Sequence, residues 1–228
     1  MKKSAIVTFV ILIVLILDQW LKVYVKLNVP YGEGFGIFGL EKARILFVEN
    51  EGMAFGLSWG GVTGKYLLST FRIVMVGALI YILRSLIKAG ESLGLVIAFG
   101  LIIAGAIGNI IDSMFYGLLF SKSVYHGGLA TFMPEGGGYA PFLQGKVVDM
   151  FSFPLYSGTY PDWIPRLGGK DFTFFSFIFN VADAAISVGV ASILLFHRKF
   201  FRQEKESMKK DSRSTSQAVA PVGGSEEE

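Results

Sequence analysis

The 228 residues are 52% hydrophobic, carry a formal net charge of only +3, and include two histidines and no cysteine. Disulfides, a thiolate nucleophile and a zinc–thiolate site are excluded, and a histidine metal cage or a Ser-His triad has little to draw on. The mean hydropathy of +0.54 is concentrated in long apolar runs that point to a bilayer as solvent, and no basic stripe interleaved with aromatics marks a nucleic-acid partner.

Four stretches are candidates to span a bilayer, which takes roughly 20 apolar helical residues. They run over 5–21, 66–87, 93–111 and 177–196. Lys2 and Lys3 precede the first, Arg84 and Lys88 sit in the link between the second and third, and His197, Arg198, Lys199, Arg202 and Lys205 follow the fourth. The positive-inside rule places these three basic groups in the cytoplasm. Both long connections, 22–65 and 112–176, then face outward. The first stretch could instead be a cleaved signal peptide, but Asp18-Gln19-Trp20-Leu21-Lys22 follows it in place of a small-x-small site. In the first connection, Arg44 to Glu49 reads as a short strand. The second connection is long and glycine-rich. The tail, 203–228, is polar and aperiodic and reads as a disordered cytoplasmic segment behind one membrane domain, 1–202. The expected class is mainly α: a polytopic membrane protein of four transmembrane helices with a small β-containing region at the outer face.

Ionisable residues inside membrane helices are costly and usually functional. Asp18, Arg72, Asn109, Asp112, Asn180 and Asp183 all lie in or beside the apolar runs. With helices of these bounds, every charged member falls toward the same membrane surface. Asp149 lies in the outward connection that leads to the fourth helix. Each residue also has a plain structural reading. Asp18 and Lys22 form an i,i+4 pair, Arg72 could snorkel, and Asn180 with Asp183 has the spacing of a helix cap. The functional case comes from the set.

That set, in order, resembles the lipoprotein signal peptidases (signal peptidase II). Asp18-Gln19 with Lys22 resembles the family's first-helix motif. Asn50-Glu51-Gly52-Met53-Ala54-Phe55 resembles its Asn-x-Gly-x-Ala-Phe motif, and Gly108-Asn109-Ile110-Ile111-Asp112 its Gly-Asn-x-x-Asp motif. Val147-Val148-Asp149 and Phe179-Asn180-Val181-Ala182-Asp183 resemble the two segments that carry catalytic aspartates. The resemblance covers residues 5–200, with two departures. Ser113 stands where the family usually has Arg, so a substrate-contacting arginine is missing or replaced, and 119–146 is longer and richer in glycine.

The resemblance implies an aspartic endopeptidase of the bacterial cytoplasmic (inner) membrane, with its site at the outer face. It would cut prolipoproteins on the amino side of a diacylglyceryl-modified cysteine. Asp149 and Asp183 would be the catalytic pair. Asp18, Lys22, Asn50, Gly52, Asn109, Asp112 and Asn180 would orient that pair or hold substrate. Membrane lipids and globomycin-type inhibitors would be partners, with no metal or other cofactor. Two carboxylates sharing a site cannot both ionise easily, so together they supply acid and base without metal or histidine.

Three rivals remain in view. Gly56-Leu57-Ser58-Trp59-Gly60 fits the serine-hydrolase Gly-x-Ser-x-Gly pattern, but it lacks strand-turn-helix context and has only His126 as an external histidine. A proton-coupled transporter would carry its carboxylates near the midplane between repeats, and no repeat is present. A membrane scaffold leaves the Asp149–Asp183 pair unexplained.

Overall fold

The computed structural model describes residues 2–51, 61–125, 127–174 and 176–197. The serine-hydrolase motif, Gly52, His126 and the 203–228 tail fall outside the described residues. Helix α1 spans Lys3–Asn28, α2 Gly61–Lys88, α3 Leu93–Ile111 and α5 Val181–Phe196. A π-turn, Asp112–Tyr116, and a short α4, Gly117–Leu119, extend α3 without a break. The strands among the described residues are β1 Gly34–Ile37, β2 Leu40–Asn50, β3 Val147–Ser152, β4 Tyr156–Thr159, β5 Asp171–Phe174 and β6 Ile178–Phe179.

Among the described residues, three helical segments are long and apolar enough to cross a membrane: Lys3–Asn28, Thr63–Lys88 and Leu93–Leu119. The fourth apolar helix, α5, has 16 residues. Its expected start at 177 is corrected to Val181, because Ile178 and Phe179 pair with Ser152 and Phe151 as a strand. The first helix does not end at Leu21. Lys22 and Lys26 lower the hydropathy there, but both lie fully buried against the rest of the protein, so the helix continues to Asn28. The second helix starts at Gly61, one turn before the apolar run at Tyr66.

The helix ends define one level. Lys3 Nζ donates to the carbonyls of Gly90 (2.9 Å) and Glu91 (2.7 Å) in the α2–α3 link. A Cβ on Gly94 would lie 3.1 Å from His197 Nε2. The start of α1, the α2–α3 link and the end of α5 therefore share one end of the bundle, the grouping expected from their basic residues. Glycines let backbones close in: a Cβ on Gly105 would stand 2.2 Å from Ala182 O, and one on Gly189 2.6 Å from Ala98 O. Small residues at such crossings are how membrane helices gain contact.

At the opposite end, β1-β2-β3-β6 form an antiparallel sheet in that order. The expected strand at Arg44–Glu49 lies within the C-terminal part of β2. Two apolar clusters result. One, near the shared helix ends, includes Val7, Leu83, Leu95, Phe99 and Ile193. The other packs the sheet onto the far end of α1 and the π-turn through Val25, Phe47, Tyr116, Phe120, Val148 and Met150. A polar layer lies between them. A separate ribbon, β4–β5, leaves the sheet at β3 and returns through β6.

Candidate active site

The polar layer has one depth. At ~1.5 Å per helical residue, Asp18 lies about 23 Å from Lys3, Arg72 about 24 Å from Lys88, Asn109 about 23 Å from Gly94 and Asn180 about 24 Å from Phe196. The convergence read from the sequence is retained. However, Asp18 lies inside α1 rather than at its end, and Arg72 lies about three turns into α2.

Lys22 is the hub. Its Nζ contacts Asp18 Oδ2 at 2.9 Å and Asp112 Oδ2 at 3.0 Å, and donates to Asn109 Oδ1 at 2.9 Å. Lys22, Asp18 and Asp112 are all 0% exposed. A buried ion keeps its charge only when paired and hydrogen-bonded, and the remaining lone pairs here are used. Asp18 Oδ1 accepts from the Ala182 backbone N–H (2.9 Å), and Asp112 Oδ2 accepts from the Val148 N–H (3.2 Å). Gln19 Nε2 donates to Asp18 Oδ2 (3.0 Å) and Asp112 Oδ1 (2.9 Å). Among the described residues, every buried side-chain polar atom has a partner. Asp18 thus ties α1 to the first turn of α5, and Asp112 ties α3 to β3. These are the two elements that carry Asp183 and Asp149.

Asp149 sits in β3 opposite Val48 of β2 and is 5% exposed. Its Oδ1 accepts from Asn180 Nδ2 at 2.7 Å, and the Asn50 amide also bonds to it. Asp183 Oδ1 accepts from Asn109 Nδ2 at 2.8 Å. Asn180 Nδ2 also donates to Asn109 Oδ1 at 3.2 Å. An amide chain therefore links the two carboxylates: Asp149, Asn180, Asn109, Asp183. The capping reading of Asn180 and Asp183 is also correct. Asp183 N–H donates to Asn180 Oδ1 (2.9 Å), and Asn180 N–H donates to Asp183 Oδ2 (3.3 Å), a reciprocal capping box. The cap fixes Asp183 at the start of α5 and leaves Oδ1 for Asn109.

Burial pushes the Asp149 carboxyl up to about 7, and the neighbouring Asp183 charge adds to the rise. Hydrogen bonds from Asn180 and Asn50 and the Lys22 charge oppose it without cancelling it. A carboxyl poised near neutrality beside a second carboxylate can serve as an acid.

Two features bear on Ser113, which stands where the resemblance leads one to expect arginine. Ser113 is 3% exposed and donates to Asn109 O at 3.0 Å, so its side chain turns into the bundle at the π-turn. A cation reaches the layer from another element: Arg72 of α2 interacts electrostatically with Asp183.

The sequence reading missed a second buried cluster. Lys26 Nζ pairs with Glu49 Oε1 and donates to Ser123 Oγ at 2.9 Å, and Ser123 Oγ donates to Glu49 Oε1 at 2.9 Å. The rings of Phe47, Phe120 and Tyr139 lie 5.2 to 5.8 Å from Lys26 Nζ. This cluster pins β2 and the 120s segment to α1, one residue from the partner of Asp149. Its signal was the stripe Asp18, Lys22, Lys26 at four-residue spacing. Glu51, bridged to Lys65 (2.6 Å) and Lys146 (3.2 Å), is held below the usual carboxylate range by those lysines, against the opposing effect of burial.

The family model described as signal peptidase (SPase) II matches residues 10–199. The chain belongs to the signal peptidase II family. A lipoprotein signal peptidase of Porphyromonas gingivalis is 44% identical over 194 residues, covering 85% of this chain and 83% of the relative. One from Amoebophilus asiaticus is 34% identical over 194 residues, covering 84% and 77%. A bacterial membrane enzyme solved by the in meso method at 1.9 Å resolution matches with a TM-score of 0.54 and 24% identity, over 86% of this chain and 94% of that one. That likeness shows the fold. Family membership and three bilayer-length helices make this signal peptidase II family member a multi-pass membrane protein.

Proposed function

We propose that this chain is a membrane aspartic endopeptidase that removes signal peptides from prolipoproteins on the amino side of a diacylglyceryl-modified cysteine. The relatives' names as lipoprotein signal peptidases support the substrate class. The observation that carries the mechanism is the amide-linked pair of Asp149 and Asp183, with the Asp149 carboxyl raised to about 7.

In this reading a water lies between the two carboxyls. The pair shares one proton: the carboxyl that holds it, favoured at Asp149 by burial, donates a hydrogen bond to the scissile carbonyl oxygen, while the other accepts the proton of the attacking water. The titration belongs to the pair rather than to either residue. Asn109, Asn180 and Asn50 fix the carboxyl planes. Lys22, Asp18 and Asp112 hold the two supporting elements together, and Gly52 is assigned, with Asn50, to holding substrate.

The membrane domain, 1–202, crosses the bacterial inner membrane four times, with α5 as the short fourth span and a cytoplasmic tail, 203–228. The basic residues at the shared helix ends lie in the cytoplasm, so the polar layer lies toward the outer face. A lipid anchor can then stay in the leaflet while the cut bond meets water. Globomycin-type inhibitors bind at the same aspartate pair.

The test is cleavage of a purified precursor in micelles, with and without the diacylglyceryl group, read by mass spectrometry. The expected product begins at the modified cysteine, and the unmodified precursor is cut far more slowly. Equal rates, or cleavage at another bond, would contradict the assignment.

A further inference from the structure

The ribbon β4–β5 plays no part in the site described above, yet it grows from the strands that flank it. Its register pairs Tyr156 with Phe174, Ser157 with Thr173, Gly158 with Phe172 and Thr159 with Asp171. Directly paired residues share a face, and successive residues alternate. One face is therefore aromatic: Tyr156, Tyr160, Phe172 and Phe174, with ring centroids 4.7 Å apart for Tyr160–Phe172 and 5.9 Å for Tyr156–Phe172. The other face is polar: Ser157 and Thr173 hydroxyls meet at 3.2 Å, and Thr159 donates to Asp171 at 3.0 Å.

The strands of this ribbon pack chiefly against each other. The aromatic side is left open, with Tyr156 62% and Phe174 63% exposed, and Trp163 in the connecting loop is 79% exposed. The loop is ordered by its own backbone. Tyr160 and Lys170 exchange a hydrogen bond from Tyr160 N–H (2.9 Å), Gly169 N–H donates to Tyr160 O (3.0 Å), and Gly168 N–H donates to Ile164 O (2.9 Å). A two-faced ribbon held in shape this way is built to lie on something.

Helix length says what lies there. The 16 residues of α5 span ~24 Å, whereas a bilayer's hydrocarbon is about 30 Å thick. With the His197 end at one boundary, the N-terminal end of α5 stops about 6 Å short of the other. The chain leaves that point through β6, next to exposed Phe177, and the ribbon's two strands begin within a few residues. A four-residue strand reaches only ~13 Å, so the ribbon starts at lipid depth and ends within the headgroup zone. Tyr and Trp are the residues that settle there, and exposed Arg166 and Lys170 in the loop suit phosphate.

We propose that the β4–β5 ribbon is a membrane-interface anchor that lays its aromatic face on the phospholipid of the leaflet bordering the polar layer. The anchor rests on the proposed reading of α5 as the fourth span and not on the protease chemistry, so its failure would leave the aspartate pair untouched.

The chain has no cysteine, so single-site labelling is clean. Phe174→Cys and Thr173→Cys place an environment-sensitive dye on opposite faces of one strand, at neighbouring positions. The full-length protein is reconstituted in phosphatidylcholine–phosphatidylglycerol vesicles. The dye at 174 should shift to the blue and be several-fold less quenched by aqueous iodide than the dye at 173. It should also be quenched by lipid brominated near the headgroup end of the chain. Equal iodide access at both sites, without bromolipid quenching, would overturn the proposal. So would protection at 174 that appears only with added lipidated precursor, or only at high protein-to-lipid ratio. Those outcomes would mark a substrate contact or a contact between copies. If the Phe174→Cys variant fails to fold, Trp163 as the sole tryptophan in a Trp20→Phe, Trp59→Phe background reads the same quenching.

Discussion

Replacing Asp149 with Asn keeps the acceptor that Asn180 Nδ2 meets at 2.7 Å but removes the group that titrates. The folded state raises this carboxyl from 3.8 to about 7. A rise of that size corresponds to on the order of 4 kcal/mol of differential stability. The sign follows from proton counting. Between 3.8 and about 7 the native protein holds a proton that the unfolded chain has released, so wild-type stability falls as pH rises through that window. Asn cannot ionise, so the variant escapes the loss. Thermal melts in micelles should therefore show Asp149→Asn matching wild type near pH 4, exceeding it by a margin that widens up to about pH 7 and then stays constant, while hydrolysing no precursor. A variant less stable than wild type at alkaline pH, or a stability gap that does not vary with pH, would refute the burial argument.

Further substitutions test the supporting layer. Lys22→Met leaves Asp18 and Asp112 buried without their cation and should cost about 3–5 kcal/mol; an unchanged melt would show that the cation is dispensable. Gly105→Ala forces a Cβ to 2.2 Å from Ala182 O, pushing the first turn of α5 and Asp183 aside. It should lower both stability, by about 1–3 kcal/mol, and turnover, whereas Gly128→Ala, with nothing within 4 Å, should change neither. Arg72→Gln removes the cation that interacts with Asp183 and should slow turnover while Arg72→Lys keeps most of it; equal rates for all three side chains would assign Arg72 to snorkelling alone.

Much of this arrangement was legible because charge in an apolar run is expensive wherever it occurs. Asp18, Asn109, Asp112, Asn180 and Asp183 stood out for that reason, and the structure brings them into one layer. The ends of the elements were less legible. Hydropathy fell at Lys22 and Lys26, which reads as the end of a span, but both lysines are buried against protein partners drawn from distant sequence. Nothing local announces Ser123 as the partner of Lys26, or Val48 as the neighbour of Asp149, because strand register is set by the whole sheet. The start of α5 was masked for a related reason. Phe177, Ile178 and Phe179 are as apolar as a helix, and only pairing with β3 makes two of them strand. The β4–β5 ribbon alternates aromatic and polar residues over just four positions per strand, too short a period to stand out within a glycine-rich connection.

The central claim is that Asp149 and Asp183 act as one unit. The most direct measurement is turnover of a lipid-modified precursor by Asp149→Asn, Asp183→Asn and the double variant, each shown to be folded by its melt. The account predicts that each single variant loses nearly all activity and that the double variant is little worse, because groups acting together are non-additive. An Asn at 183 can still accept from the Asn180 N–H through its Oδ1, so a purely capping Asp183 would tolerate the change. Substantial turnover by folded Asp183→Asn or Asp149→Asn would contradict the aspartic mechanism.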